Sequence, residues 1–387
     1  MNPKDYFKKN FSIKETVYDF SSKQEDEMKK AIIHRYNNNL DEENTIKTNE
    51  YSNDPIFNSL IQDLFEFIGA PKDTVYIGKI TNSYPNCYMI SKDNNESLDG
   101  CLICITTGLT DNSYAFSEYL SLLRFIDIER LQENQYIDYL NILTFDIVNR
   151  IKNKYGDEFA TSDLVQIADL TINEYWFQDF QIMASNISYC IDFFAVLHEY
   201  VHYLINSFSN NKNSYISKLI IQTVSLYAKF CEINPKIKHL LPQNEVVADL
   251  GALLILHDFF QFNEEMVCSV ILAVKQLERM SSQDDYTNHY RTKIVEFFLN
   301  ELNISQTPVV KNRISRINNL FILADDSEVQ LSKMKKLAYE SIIKLINKNG
   351  LSNSVLVYFK ERAKLLVELF YEIENSEGID EDEFEEF

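Results

Sequence analysis

Two histidines four residues apart, with a glutamate beside the first, stand in the run Ala195-Val196-Leu197-His198-Glu199-Tyr200-Val201-His202-Tyr203-Leu204-Ile205. On a helix, positions i and i+4 share one face about one turn apart. His198 and His202 can therefore hold one metal ion between them, and zinc is the usual ion for this arrangement. Glu199 would lie to the side of that ion, where a carboxylate can take a proton from a metal-bound water. The flanking Phe193, Phe194, Leu197, Val201, Leu204 and Ile205 predict a buried helix and a dry site.

A zinc site of this kind needs a carboxylate from a separate element and leaves a fourth position for water. The stretch Pro242-Gln243-Asn244-Glu245-Val246-Val247-Ala248-Asp249-Leu250-Gly251-Ala252 fits that need. Proline suits the first helical position, and the stretch continues apolar through Phe260. Glu245 is the expected third ligand. Asp249, one turn further on the same face, is placed to hydrogen-bond a ligand imidazole and fix its tautomer. Ala248, Gly251 and Ala252 are small enough to let the two helices approach closely.

These residues together, His198-Glu-x-x-His202 and Glu245-x-x-Ala248-Asp249, resemble the gluzincin metallopeptidases, and within them the branch of the HtpX-like proteases and the CAAX prenyl endopeptidases. That branch has a strand ending in a Thr-Gly-Leu-like turn, which lines the substrate cleft. Asn86–Ile90 and Cys101–Leu109 are similar, and the resemblance makes Leu102, Ile103, Cys104 and Ile105 the substrate strand. An edge strand there could pair with an extended peptide, and a core hairpin is the equal alternative. The branch also carries a His-Pro segment after the glutamate helix, with an arginine nearby. Thr287-Asn288-His289-Tyr290-Arg291 matches it in part, since Tyr290 replaces the proline and the arginine is early. The resemblance implies that His289 stabilises an oxyanion. Two departures stand out: the branch's membrane helices are missing, and a long insert separates the strand from the metal helix.

The elements that must position these groups follow from composition and period. Few glycines and prolines (8 and 7 among 387 residues) suit long helices. The expected fold is mainly α with a small β-sheet, α+β. It comprises a zincin-like metallopeptidase core with a helical insert and a helical C-terminal part. Residues 1–50 form a polar N-terminal segment with one helical piece near Glu25–Tyr36, and Asp54–Ile68 reads as an amphipathic helix. Short strands are expected at Val75–Ile77, Cys87–Ile90 and Cys101–Thr106. The catalytic domain runs over 51–302, with insert 112–189 carrying helices at Phe116–Leu131, Tyr136–Lys154 and Asp163–Met183. The insert either bears specificity for a substrate or regulatory partner, or covers the core. The metal helix is expected over 190–209, with later helices at Ser214–Cys231, Glu264–Met280 and Tyr290–Leu302. C-terminal helices occupy 303–372, with an interruption at Asn349-Gly350, and 373–387 is an acidic, disordered tail.

The formal net charge of -21 argues against nucleic acid or an anionic membrane as partner, since both demand a basic surface. No run reaches the ~18 apolar residues of a membrane span, and no apolar signal core opens the chain. A soluble, cytoplasmic protein is the expectation. The cysteines lack the spacing of a disulfide framework, and Cys101-x-x-Cys104 reads as part of a strand rather than half a metal site. His34, His239 and His257 read as surface or packing residues. The expected function is zinc-dependent hydrolysis of peptide bonds in a protein substrate, with Glu199 as general base. A peptidase loose among cellular proteins must be restrained, so a narrow target in regulation, stress or phage exclusion is the accompanying hypothesis. The alternative is a non-catalytic protein in which zinc only ties helices together.

Overall fold

The computed structural model describes residues 1–11, 74–80, 82, 85–91, 95, 97–128, 133–152, 174–208, 214–235, 243–259, 264–280, 285–302, 307–325 and 328–349. The expected helices at Glu25–Tyr36 and Asp54–Ile68, the tail, and the side chains of His34 and His239 fall outside these residues. The described chain is mostly helical with one small sheet. The helices are α1 Pro3–Asn10, α2 Thr107–Ile128, α3 Glu133–Lys152, α4 Glu174–Phe208, α5 Ser214–Ile233, α6 Gln243–Phe259, α7 Glu264–Met280, α8 Asp285–Glu301, α9 Pro308–Asp325 and α10 Glu328–Asn349. The strands are β1 Val75–Ile80, β2 Cys87–Ser91 and β3 Cys101–Thr106.

The sheet runs in the order β1-β3-β2, with β1 parallel and β2 antiparallel to β3. Every residue of β3 is buried, as its unbroken apolar run requires of a strand covered on both faces. Alternation splits the sheet cleanly. Val75, Ile77, Cys87, Cys101, Ile103 and Ile105 join the main core, whereas Tyr76, Leu102 and Cys104 join a smaller one on the other face. That outer face is covered by α1. Asn2 caps α1 by accepting from the Asp5 N–H at 2.8 Å, and Pro3 fits its first turn. Phe7 lies flat on Gly78, where a Cβ would come 2.2 Å from the ring, so only glycine permits the contact.

Thr106 closes β3 and opens α2 in one step: its Oγ1 accepts from the Leu109 N–H at 3.2 Å, an N-cap. The expected Thr-Gly-Leu turn is thus the first turn of α2, nine residues ahead of the expected start at Phe116. The metal helix also differs from expectation. Instead of two helices separated near residue 184, α4 is continuous over 35 residues. No glycine or proline interrupts Glu174–Phe208, so nothing in the chain stops the helix. Its second half carries the motif, buried on nearly all sides. α2 packs lengthwise on α4, α6 and α7 pack on its other flanks, and α9 and α10 pack on α3. One apolar cluster runs through all of these, so the insert's helices are part of the main core. Among the described residues no helix is long and apolar enough to cross a membrane.

Candidate metal centre

Helical periodicity sets the first two groups. His198 is buried and His202 nearly so, one turn apart on α4, with their Nε2 atoms 3.3 Å apart. α6 crosses this face closely because Gly251 lies under Val201; a Cβ there would be 2.7 Å from Val201 Cγ1. That approach brings Glu245, in the first turn of α6, onto both imidazoles. Its Oε2 lies 3.2 Å from His198 Nε2 and its Oε1 lies 3.4 Å from His202 Nε2. The two imidazole nitrogens and the Glu245 carboxylate thus form a triangle of donor groups, with one ligand atom from each lying within 4.8 Å of the others.

The triangle is a quantitative test of whether an ion fits. Tetrahedral coordination with imidazole nitrogen and carboxylate oxygen at about 2.0–2.1 Å sets donors ~3.3 Å apart. The two imidazole nitrogens are 3.3 Å apart, and each has a different Glu245 oxygen beside it, Oε2 at 3.2 Å from His198 and Oε1 at 3.4 Å from His202. The group can hold a metal ion, and among the described residues it is the one cluster of its kind.

Behind the triangle, Asp249 Oδ1 lies 2.9 Å from His198 Nδ1. A proton on Nδ1 satisfies that contact and leaves the Nε2 lone pair pointing at the centre. Asp249 is itself gripped by Arg291 of α8, whose Nε donates to Oδ2 at 2.7 Å and whose second guanidinium nitrogen donates to Oδ1 at 2.8 Å. The same arginine lies 3.7 Å from Glu245 Oε2. Burial alone would raise the pKa of Asp249; the guanidinium and the His198 hydrogen bond outweigh it and hold the carboxyl below its ordinary range. Glu245 is held well below the usual carboxylate range, through its hydrogen bonds to His198 and His202. In the absence of an ion, burial opposes the charge on His198, but Asp249 and Glu245 win and raise its pKa to about 9.

Glu199 follows His198 on α4 and is partly buried. Burial pushes its carboxyl up, and the two histidines partly offset this. Burial first, and the Glu199 charge after it, raise the thiols of Cys87 on β2 and Cys101 on β3.

His198, Glu199, His202, Glu245 and Asp249 therefore converge as the spacing predicts. Arg291 completes the site; the sequence showed it only as a misplaced arginine in a partial motif. His289 lies in the first turns of α8, with its side chain outside the described positions. The expectation for Leu102, Ile103, Cys104 and Ile105 is corrected. They belong to the central strand, paired to β1 on one side and β2 on the other, and β3 has no free edge for a peptide. Among the described residues the open edge next to α4 is that of β2. His257 sits on the surface 3.2 Å from Asp258, away from the centre. A scan against protein-family models, a search of curated proteins and a search of solved structures each find no match to this chain.

Proposed function

We propose that the chain is a zinc metallopeptidase of the gluzincin type, with a zincin-like core and a protein or peptide substrate. The observation that carries this reading is the convergence of His198, His202 and Glu245, whose ligand atoms lie within 4.8 Å of one another, with Glu199 next to His198 in sequence. Zinc, when bound, supplies a Lewis acid that polarises a carbonyl and brings water ionisation toward neutral pH.

The remaining chemistry belongs to the chain. Asp249 holds the Nδ1 proton of His198, and Arg291 keeps Asp249 ionised and oriented. Glu199 accepts the proton of the attacking water on a carboxylate oxygen and later delivers it to the leaving amine nitrogen. Its buried position keeps its basicity above that of an exposed carboxylate. Leu197, Tyr200, Val201 and Leu204 around the motif are buried, while Glu245 at 38% side-chain exposure leaves the site open to substrate. Among the described residues the outer edge of β2 is unpaired, and its backbone groups can pair with an extended peptide.

Metal analysis beside cleavage of an unstructured protein substrate tests the reading. The expected result is about one zinc per chain, lost in His198→Ala and Glu245→Ala, and cleavage lost in Glu199→Gln with zinc retained. Cleavage that survives Glu199→Gln, or a folded parent that cannot be loaded with zinc, overturns it.

A further inference from the structure

We infer that the outward face of α10 is a docking surface for an acidic, amphipathic helix of a partner protein. The inference is independent of the peptidase reading, because no residue of the metal centre enters it.

α10 has two faces. Ala338, Ser341, Ile342 and Leu345 are buried on the side that packs on α3, and Asn141 Nδ2 of α3 donates to Ser341 Oγ at 3.2 Å. The opposite face carries Val329, Lys333, Lys336, Leu337, Glu340, Ile343 and Lys344, all exposed. Their offsets from Val329 are 4, 7, 8, 11, 14 and 15 positions, those of one helical stripe. At 1.5 Å per residue that stripe is about 22 Å long. Apolar residues scattered singly over a surface carry no information. Here three share one stripe, Val329 at 62% exposure and Leu337 and Ile343 at 43% each. A helix that only covers a core would turn polar side chains outward at those positions.

Charge decides what kind of partner this stripe fits. Across Glu328–Asn349 five lysines stand against two glutamates, a net charge of +3, in a chain whose net charge is -21. The Debye length at physiological salt is ~8 Å, so a ligand on α10 meets these lysines more strongly than the field of the distant carboxylates. Lys333, Lys336 and Lys344 share the stripe with the apolar residues, and Glu340 is its one carboxylate. Lys344 reaches Asp138 on α3 at 3.8 Å; among the described residues Lys333 and Lys336 form no ion pair. A basic partner is repelled by this face. A bare polyanion pairs with the lysines and leaves three apolar side chains in water. A helix with carboxylates flanking an apolar seam satisfies both. Packed about 8–10 Å from the axis of α10, it covers Val329, Leu337 and Ile343 and sets its carboxylates against Lys333, Lys336 and Lys344.

The probe is a fluorescein-labelled peptide, (Glu-Leu-Leu-Glu)4, titrated against the full chain by fluorescence anisotropy at physiological salt. Each exposed ion pair contributes about 1.4- to fivefold in affinity, so Lys333→Glu/Lys336→Glu/Lys344→Glu should weaken binding about tenfold. Leu337→Ser/Ile343→Ser should weaken it about fivefold. The substituted positions are exposed, so the melting temperature stays at the parent's value. Lys8→Glu/Lys9→Glu/Lys218→Glu changes the net charge equally at exposed lysines elsewhere, and should leave the affinity within about twofold. A peptide that keeps the charge and lacks the seam, (Glu-Ser-Ser-Glu)4, and an oligo-deoxythymidine of the same length should each bind at least about fivefold more weakly. Residues 372–387 hold nine carboxylates and no lysine or arginine, so this stretch of the same chain is the rival occupant. Four results overturn the inference: no binding of the leucine peptide, an equal loss in the control lysine variant, equal affinity for the serine peptide or the oligonucleotide, or binding that emerges only once residues 372–387 are deleted.

Discussion

Replacing Arg291 by methionine keeps most of the side chain's volume and removes both donors to Asp249. Asp249 is almost fully buried, with a side-chain exposure of 2%, and its remaining described partner is His198. Breaking a buried pair by removing one member costs about 3–5 kcal/mol, because a charge is left uncompensated. For a chain of 387 residues the unfolding entropy is ~0.8 kcal/mol/K, so the metal-free protein should lose about 4–6 °C of melting temperature. The depressed pKa of Asp249 sets the pH dependence. Its contribution is present above the unfolded carboxylate value of about 3.9 and disappears as pH falls through the lower folded value. The cost of Arg291→Met should therefore shrink in acid, where Asp249 takes up a proton in the variant. Zinc affinity should fall about 10- to 100-fold, the usual effect of losing a group that orients a ligand histidine. Calorimetric melting of the metal-free protein and a competitive zinc titration measure the two effects. A double-mutant cycle with Asp249→Asn isolates the pair. If Arg291→Met melts within a degree of the parent and binds zinc within twofold, the Arg291–Asp249–His198 chain does not position the ligand and the reasoning fails.

Other consequences follow from the same geometry. Saturating the site should stabilise the fold by about 2.7 kcal/mol at a hundredfold excess of zinc over the dissociation constant; a chelator should reverse this in the parent and do nothing to His198→Ala. Because His198 without an ion has its pKa raised to about 9, loading near pH 7.5 should release a proton, seen as a binding heat that varies with the buffer's ionisation enthalpy. A buffer-independent heat would contradict that protonation. By the same sign, the stability that protonated His198 gives the metal-free protein is full below about pH 6.5 and is lost as pH rises through about 9. Gly251→Val should destabilise by about 1–3 kcal/mol, since its side chain must displace Val201, and Val201→Ala should recover part of that in urea unfolding. If Val201→Ala recovers nothing, the close approach of α4 and α6 is not what limits position 251.

The site was legible where its information is local. His198, Glu199 and His202 lie within one turn and a half of one helix, and Glu245 and Asp249 within one turn of another, so periodicity alone sets each pair on a face. Arg291 was not legible, because its role depends on α8 reaching Asp249 across 42 positions of sequence. The substrate strand failed for a different reason, and the signal was present. Cys101-Leu-Ile-Cys-Ile-Thr is an unbroken apolar run, as a strand buried on both faces requires, whereas Cys87-Tyr-Met-Ile-Ser mixes sizes and polarity, as an edge permits. The sheet order places β1 beside β3 rather than beside β2, and no residue in either strand encodes that crossover. The unbroken α4 was readable from the absence of glycine and proline in Glu174–Phe208, and the expected gap between Met183 and residue 190 has no helix breaker behind it.

Charge accounting explains why this arrangement wants a divalent ion rather than merely tolerating one. Glu199, Glu245 and Asp249 bring three carboxylates into a space where Arg291 is the cation they share. Neutral histidines leave that group at a net -2. Separated charges of one sign are costly where water is excluded, and the metal-free protein relieves part of the excess by raising the affinity of His198 for a proton. A divalent cation neutralises the remainder completely, and it does so where ligand atoms of His198, His202 and Glu245 already lie within 4.8 Å of one another. An anion would deepen the imbalance and a monovalent cation would leave half of it. The cation is also shared unevenly. Arg291 is bidentate on Asp249 and lies 3.7 Å from Glu245 Oε2, so these two carboxylates share its charge most closely. If Glu245→Gln and Glu199→Gln are made singly, the first should weaken zinc far more than the second, because one removes a donor and charge together and the other removes charge alone. Equal losses would show that the site binds its ion by net charge and not by the triangle.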